Sequence, residues 1–234
     1  MPELDAHQWQ RAMARLEERV ATEDIQDALR QVIQAAVEAF GVAGGGLMLV
    51  DDEGILQAAA ASDDVGLLLE TVQAEIGEGP CVDCLLLDRV VVTEDVRTDG
   101  TWPRLLPLVA DQPIGAVLGV PVRLSGGAVG ALNVFRDVPY RWNEGDVERL
   151  SAFVRILEMV VAGALLANRQ DRVIRQLQQA LDHRVEIERA VGLLMGRHGI
   201  DAVDAFNRLR TMARSSRRRV VDVAGELLGP RGGG

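Results

Sequence analysis

GAVLGVPVRLSGGAVGALNVFRDVPYRWNEGDVERL, residues 115–150, decides the fold. Ala116–Arg123 and Val129–Arg136 read as strands, and Ser125-Gly126-Gly127 between them carries the chemistry of a tight turn. From Asp146 the apolar period changes: Val147, Leu150, Val154, Leu157, Val161 and Leu165 step by three and four, which predicts a long helix. Working back toward the N-terminus, Gly44–Val50 (GGGLMLV) and Ile55–Ala61 read as strands joined by the turn Asp51-Asp52-Glu53-Gly54. Asp63–Glu75 reads as a helix, Pro80–Leu87 as a short helix, Arg89–Thr93 as a strand, and Asp99–Val109 as a loop running into a helix. Before these, Thr22 can N-cap a helix with the stripe Ile25, Leu29, Val32, Ile33, Ala36 and Val37, stopped by Gly41. His7–Val20 reads as a leading helix through Trp9, Met13, Leu16 and Val20. Two strands, then helices, then two further strands predict an α+β fold with an antiparallel sheet flanked by helices.

The chain has 234 residues, 48% of them hydrophobic and 26% charged, which suits a folded core rather than disorder. Apolar runs such as Ala116–Val122 are far too short to span a bilayer, and Met1–Val20 holds four acidic residues and no apolar core, unlike a signal peptide. No membrane association and a cytoplasmic location are therefore expected. All 25 basic residues are Arg. They are unevenly placed: residues 1–168 hold 12 Arg against 27 acids (net −15), and residues 169–234 hold 13 Arg against 8 acids (net +5). An acidic body with a basic end fits a polyanion bound at that end.

Polar residues 168–172 interrupt the helix from Asp146, and Val173, Ile174, Leu177 and Leu181 resume its stripe. One helix over 146–182 would be about 55 Å long. A stripe of that length exceeds what a small domain buries, so a connecting coiled coil in a homodimer is expected, against the alternative of two helices packed within one subunit. Arg184–His198 continues helical and ends at Gly199; Asp201 N-caps a helix, with Asp204 at its third position, and Ser216 is placed to N-cap a last helix ending at Gly229-Pro230. Ala205, Phe206, Leu209 and Met212 face inward in the first of these, and Val220, Val223, Ala224, Leu227 and Leu228 in the second. Arg231–Gly234 reads as a disordered tail. The helical arginines Arg189, Arg197, Arg208, Arg210, Arg214, Arg217, Arg218 and Arg219 are the candidate phosphate contacts, with Arg217-Arg218-Arg219 the strongest.

No catalytic residue or cofactor is assigned, and no metal site. Cys81-Val82-Asp83-Cys84 is a single CxxC without a second pair of zinc ligands. Its thiols are either buried structural groups or a redox dithiol activated at a helix start. The absence of His from residues 40–145 leaves no haem ligand there.

The turn at 51–54, the GEGPC segment at 77–81 and the run from Gly115 resemble a GAF domain, over residues 22–165 after a leading helix at 1–21. The end of the chain resembles an ANTAR domain, the RNA-binding module of bacterial transcription antiterminators. The likeness runs through Arg184-Val185-Glu186-Ile187-Glu188, Ala190–Met195, Gly199, Ala205-Phe206, Leu209-Arg210, Ala213 and Val221–Ala224. Family members usually carry Ala-Lys-Gly where this chain has Ala190-Val191-Gly192, which removes one phosphate contact. The resemblance implies a three-helix ANTAR bundle at 183–229 behind the connecting helix at 146–182, with 230–234 as the tail. It also implies a non-enzymatic regulator that holds stem-loop RNA in nascent transcripts and so acts on RNA polymerase through the transcript, with an unnamed small-molecule ligand for the GAF domain. Cyclic-nucleotide binding is disfavoured because Val134, not Lys, follows Asn133. Two alternatives remain: a thiol sensor or GAF-type methionine sulfoxide reductase using Cys81 and Cys84, and a DNA-binding regulator using the last two helices as a helix-turn-helix.

Overall fold

The hairpin at 117–135 lies at the centre of a five-stranded antiparallel sheet. The computed structural model describes residues 6–20, 24–51, 55–166 and 172–229. In chain order the elements are α1 (Ala6–Val20), α2 (Ile25–Phe40), β1 (Gly44–Val50), β2 (Leu56–Ala61), α3 (Asp64–Ile76), α4 (Pro80–Leu87), β3 (Val91–Thr93), α5 (Leu106–Val109), β4 (Val117–Leu124), β5 (Gly127–Phe135), α6 (Glu144–Leu166), α7 (Arg172–His198), α8 (Ala202–Ser216) and α9 (Val220–Leu228). The expected α+β class is the observed one, with sheet order β2-β1-β5-β4-β3.

Strand periodicity of two divides the core into two layers. Leu47 and Leu49 of β1, Leu118 and Val120 of β4, and Leu132 and Val134 of β5 point toward α2 and α6, where they meet Leu29, Ile33, Phe153 and Leu157. Met48, Val117, Ala131 and Phe135 point the other way, toward Leu69 of α3, Cys81 and Cys84 of α4, and Trp102 and Ile114 of the connecting loops. With helices on one face and helices and loops on the other, the inner strands read as continuous apolar runs rather than as alternating ones. The β4–β5 turn is tight, with Ser125 (φ 52°) and Gly126 (φ 85°) both left-handed, which matches the right-handed twist of the strands.

Several expectations shift by a residue or two. The N-cap of α2 is Asp24, whose carboxylate accepts from the Gln26 N–H at 3.0 Å. Thr22, most of the 51–54 turn, the polar break at 168–171 and the tail at 230–234 lie outside the described residues. A larger difference concerns α6. Leu150, Phe153, Val154, Leu157 and Val161 are all buried in the chain's own core, so over 144–166 the stripe is satisfied within one subunit instead of forming an exposed seam. The surface for this part of the stripe comes from α2 and α1, which pack beside α6. The last helix also differs. Ser216 does not cap it: α8 runs through Ser216, whose hydroxyl donates back to the Met212 carbonyl at 2.7 Å, and the connection to α9 is Arg217–Arg219.

Phe153 is 2% exposed beneath Phe40 and the sheet. Phe153→Ala is expected to lower unfolding free energy by about 3–5 kcal/mol at unchanged urea m-value. A loss under about 1 kcal/mol in that measurement would place α6 outside the core.

Candidate nucleic-acid interface and a buried polar cluster

Helices α7, α8 and α9 enclose a core of their own: Ile187, Ala190, Leu194, Ala205, Phe206, Leu209, Ala213, Val220, Val223 and Ala224. Phe206, at 5% exposure, is part of that core. Gly199 in the left-handed region ends α7, and Asp201 caps α8 by accepting from the Asp204 N–H at 2.8 Å.

The eight candidate arginines fall into two sets. Arg189 and Arg197 on α7, Arg208 on α8, and Arg217, Arg218 and Arg219 in the α8–α9 connection are exposed. Arg217 sits in the left-handed region (φ 54°), where its N–H donates to the Arg214 carbonyl at 3.2 Å and the Arg218 N–H donates to the Ala213 carbonyl at 3.0 Å, closing the end of α8. Arg218 is paired with Glu226, and Arg219 with Asp222 at 2.8 Å. The hydrogen bond from Arg219 holds the exposed Asp222 carboxyl below the usual carboxylate range. Arg210 is placed differently, and the exposed Arg214 reaches the same surface. Arg210 is 6% exposed and donates to the Ala74 carbonyl, and Arg214 donates to the Glu75 carbonyl at 3.4 Å. Both carbonyls lie in the last turn of α3, where the helix end favours a cation. Burial, with Arg214 close by, lowers the Arg210 pKa to about 10, so it stays charged at neutral pH. Gly77 makes the approach possible, since a Cβ there would meet the Arg210 guanidinium and Asn207. The sequence makes Arg210 and Arg214 phosphate candidates like the rest, because the surface they meet, contributed by α3, is remote in the chain.

The CxxC lies on the far side of the sheet from α6. Gly79 and Pro80 start α4 so that Cys81 and Cys84 both turn inward, each fully buried, and both are free thiols. Cys81 donates to Glu70 Oε2 at 2.9 Å, and its backbone N–H donates to Gln73 Oε1 at 2.8 Å. Asn133 Nδ2 donates to Glu70 Oε1 at 3.0 Å and to Cys81 Sγ, and Gln73 Nε2 donates to Glu70 Oε2 at 3.2 Å. Glu70, Gln73 and Asn133 are each completely buried. Two glycines make the room: a Cβ on Gly46 would meet the Glu70 carboxylate, and one on Gly119 would meet Asn133 and Cys84. Three donors favour the ionised carboxylate, but burial outweighs them and pushes Glu70 up to about 7. Burial, reinforced by Glu70, pushes the Cys81 thiol well up, and burial raises Cys84 to about 12. Two sealed, protonated thiols are poor nucleophiles, which weighs against the redox alternative. The sequence reading missed Glu70, Gln73 and Asn133 as a unit; the signal available was the pair of small strand residues, Gly46 and Gly119, opposite a helix bearing polar residues. Among the described residues there is no group of three or more His, Cys, Asp and Glu that could hold a metal.

A family model described as GAF domain matches residues 22–162, and one described as ANTAR domain matches residues 175–228. The chain is a GAF–ANTAR protein. Among solved structures, this GAF–ANTAR chain is similar to a free methionine-R-sulfoxide reductase from Neisseria meningitidis, solved with its substrate, at 22% identity and TM-score 0.58 over 71% of this chain and 96% of that one. It is also similar to the GAF domain of a phosphoenolpyruvate-protein phosphotransferase from Acinetobacter, at 16% identity and TM-score 0.57 over 70% of this chain and 99% of that one. At these identities the likeness is one of fold. No curated protein matches the chain.

Between pH 4.5 and about 7 the folded chain retains a proton on Glu70 that the unfolded chain releases, so this group's contribution to stability falls as pH rises across that window. The total is about 3 kcal/mol. Glu70→Gln is expected to remove that slope, so that chemical denaturation at pH 5 and pH 8 shifts the wild-type-minus-variant difference toward the variant at the higher pH. Native-state reaction with a thiol reagent is expected to label neither cysteine until the chain unfolds.

Proposed function

We propose that this GAF–ANTAR chain is a non-catalytic transcription antitermination regulator whose ANTAR domain binds stem-loop RNA in nascent transcripts. The observation that carries the reading is the ANTAR match at 175–228, in a bundle whose connection α8–α9 presents three consecutive exposed arginines. Arg217, Arg218 and Arg219, joined by Arg189, Arg197 and Arg208, supply phosphate neutralisation and guanidinium planes for stacking on unpaired bases. Arg210 and Arg214 are assigned to the GAF contact in this arrangement. RNA polymerase is affected through the transcript. The GAF domain supplies the sensory input. The chain acts in the cytoplasm as a homodimer, for which the apolar Leu166 (89% exposed) at the end of α6 and Val185 (60% exposed) within α7 offer contact surface. Among the described residues no helix is long and apolar enough to cross a membrane.

The helix-turn-helix alternative is disfavoured by charge. In that reading α9 would be the recognition helix, and over Val220–Leu228 it carries Asp222 and Glu226 and no basic side chain to reach base edges.

Fluorescently labelled RNA hairpins titrated with the full chain test the proposal. Replacing Arg217, Arg218 and Arg219 together by Ala is expected to weaken hairpin binding and to flatten the salt dependence of log K by up to about 2–3 units. Equal affinity of the wild-type chain for random duplex RNA or for DNA would overturn it.

A further inference from the structure

The GAF and ANTAR domains leave a cleft of about 200 Å³ between them. Its GAF wall includes Leu86 of α4 and Val129 of β5; its ANTAR wall includes Val191 and Met195 of α7. Among the described residues, two charged side chains, Arg184 and Glu188, reach it. We propose that this cleft binds a small organic anion with an apolar body, of the aryl- or alkyl-carboxylate class.

Volume limits the occupant first. A dry cavity of about 150 Å³ takes a benzene ring, so this cleft suits a ring or branched chain with a short arm and is too small for a helix or a strand of a partner. Lining chemistry sets the rest. Apolar walls offer water few bonds, so an apolar ligand gains by displacing it. The one cation is held in place from outside. The Arg184 guanidinium lies against the backbone of Gly127 at the start of β5, where any side chain would overlap it. Its Nε donates to Glu188 at 2.5 Å. Glu188 is 58% exposed and free to swing toward solvent, while a carboxylate offered from within the cleft can take the guanidinium in a two-point grip. Val191 keeps the α7 wall apolar at the position where a lysine would have put a competing charge.

Because the walls come from both domains, the site is complete only when they are packed together. An occupant therefore stabilises that packing by mass action. This makes the cleft, rather than the filled interior around Glu70, the place where a small molecule is felt by both domains at once. The proposal is independent of RNA binding.

The test uses the full chain with ¹³C-labelled methionine methyls, the Met195 signal among the six being assigned with Met195→Leu. Probes are 3-phenylpropionate and its neutral counterpart 3-phenylpropan-1-ol. The acid is expected to shift the Met195 methyl saturably and to bind about tenfold more tightly than the alcohol. Arg184→Gln is expected to bring the acid within about twofold of the alcohol while leaving the alcohol's binding as it was, which also shows the cleft intact. Val191→Trp, which fills the cleft from α7, is expected to abolish the Met195 response to both. The proposal is overturned if the acid gives no saturable shift at Met195, if its advantage over the alcohol survives Arg184→Gln, or if the shift appears at Met48 in the GAF core while Met195 stays still.

Discussion

Strand β5 is buried at all nine of its positions, and everything else in the GAF half answers to that. A strand covered on both faces has no solvent to satisfy a polar side chain, so each such group must find its partners from the neighbouring elements. Asn133 is the one polar residue on β5, and it is what brings Glu70 and Gln73 of α3 and Cys81 of α4 into a single hydrogen-bonded unit. The glycines across the sheet, the inward turn of α4 and the raised Glu70 pKa all belong to the same constraint. A cluster that looks like a site in composition is therefore explained as the internal solvation of one carboxyl group.

The basic half is governed by a different balance. Its arginines are abundant, but their surroundings divide them. At the end of α3, unsatisfied carbonyls hold Arg210 and Arg214; on α9, Asp222 and Glu226 hold Arg219 and Arg218. Both pairings to acids are exposed and weak, so a polyanion can displace them at small cost. The Arg210 contact is buried and directional, and it joins the two halves instead. Net charge alone does not distinguish these roles; the partners of each guanidinium do, and only Arg210 is buried.

Local chemistry was legible wherever one residue type settled the backbone. Gly79-Pro80 fixed the start of α4 and Leu87 its end as read, and Gly41, Gly199 and Asp201 marked helix limits correctly. It was ambiguous where several residues could do the same job: Thr22, Glu23 and Asp24 all suit a helix start, and Ser216 suits a cap although its hydroxyl can equally bond back within a helix. Non-local facts were out of reach. The helical spacing of α6 was plain, but the burial of its stripe depends on α1 and α2, more than a hundred residues earlier. Glu70 sat in a stretch read as an ordinary helix, and its interior position follows from strand residues Gly46 and Asn133, which are 24 and 63 positions away in the chain.

Arg217 carries a last consequence. A left-handed conformation costs a residue with a Cβ about 1 kcal/mol or more that glycine avoids. Glycine is the residue that usually closes a helix in this way, and the chain uses it at Gly41 and Gly77. At 217 it keeps an arginine instead. The turn between α8 and α9 thus carries backbone strain that glycine would relieve, as does the end of α4 at Asp88.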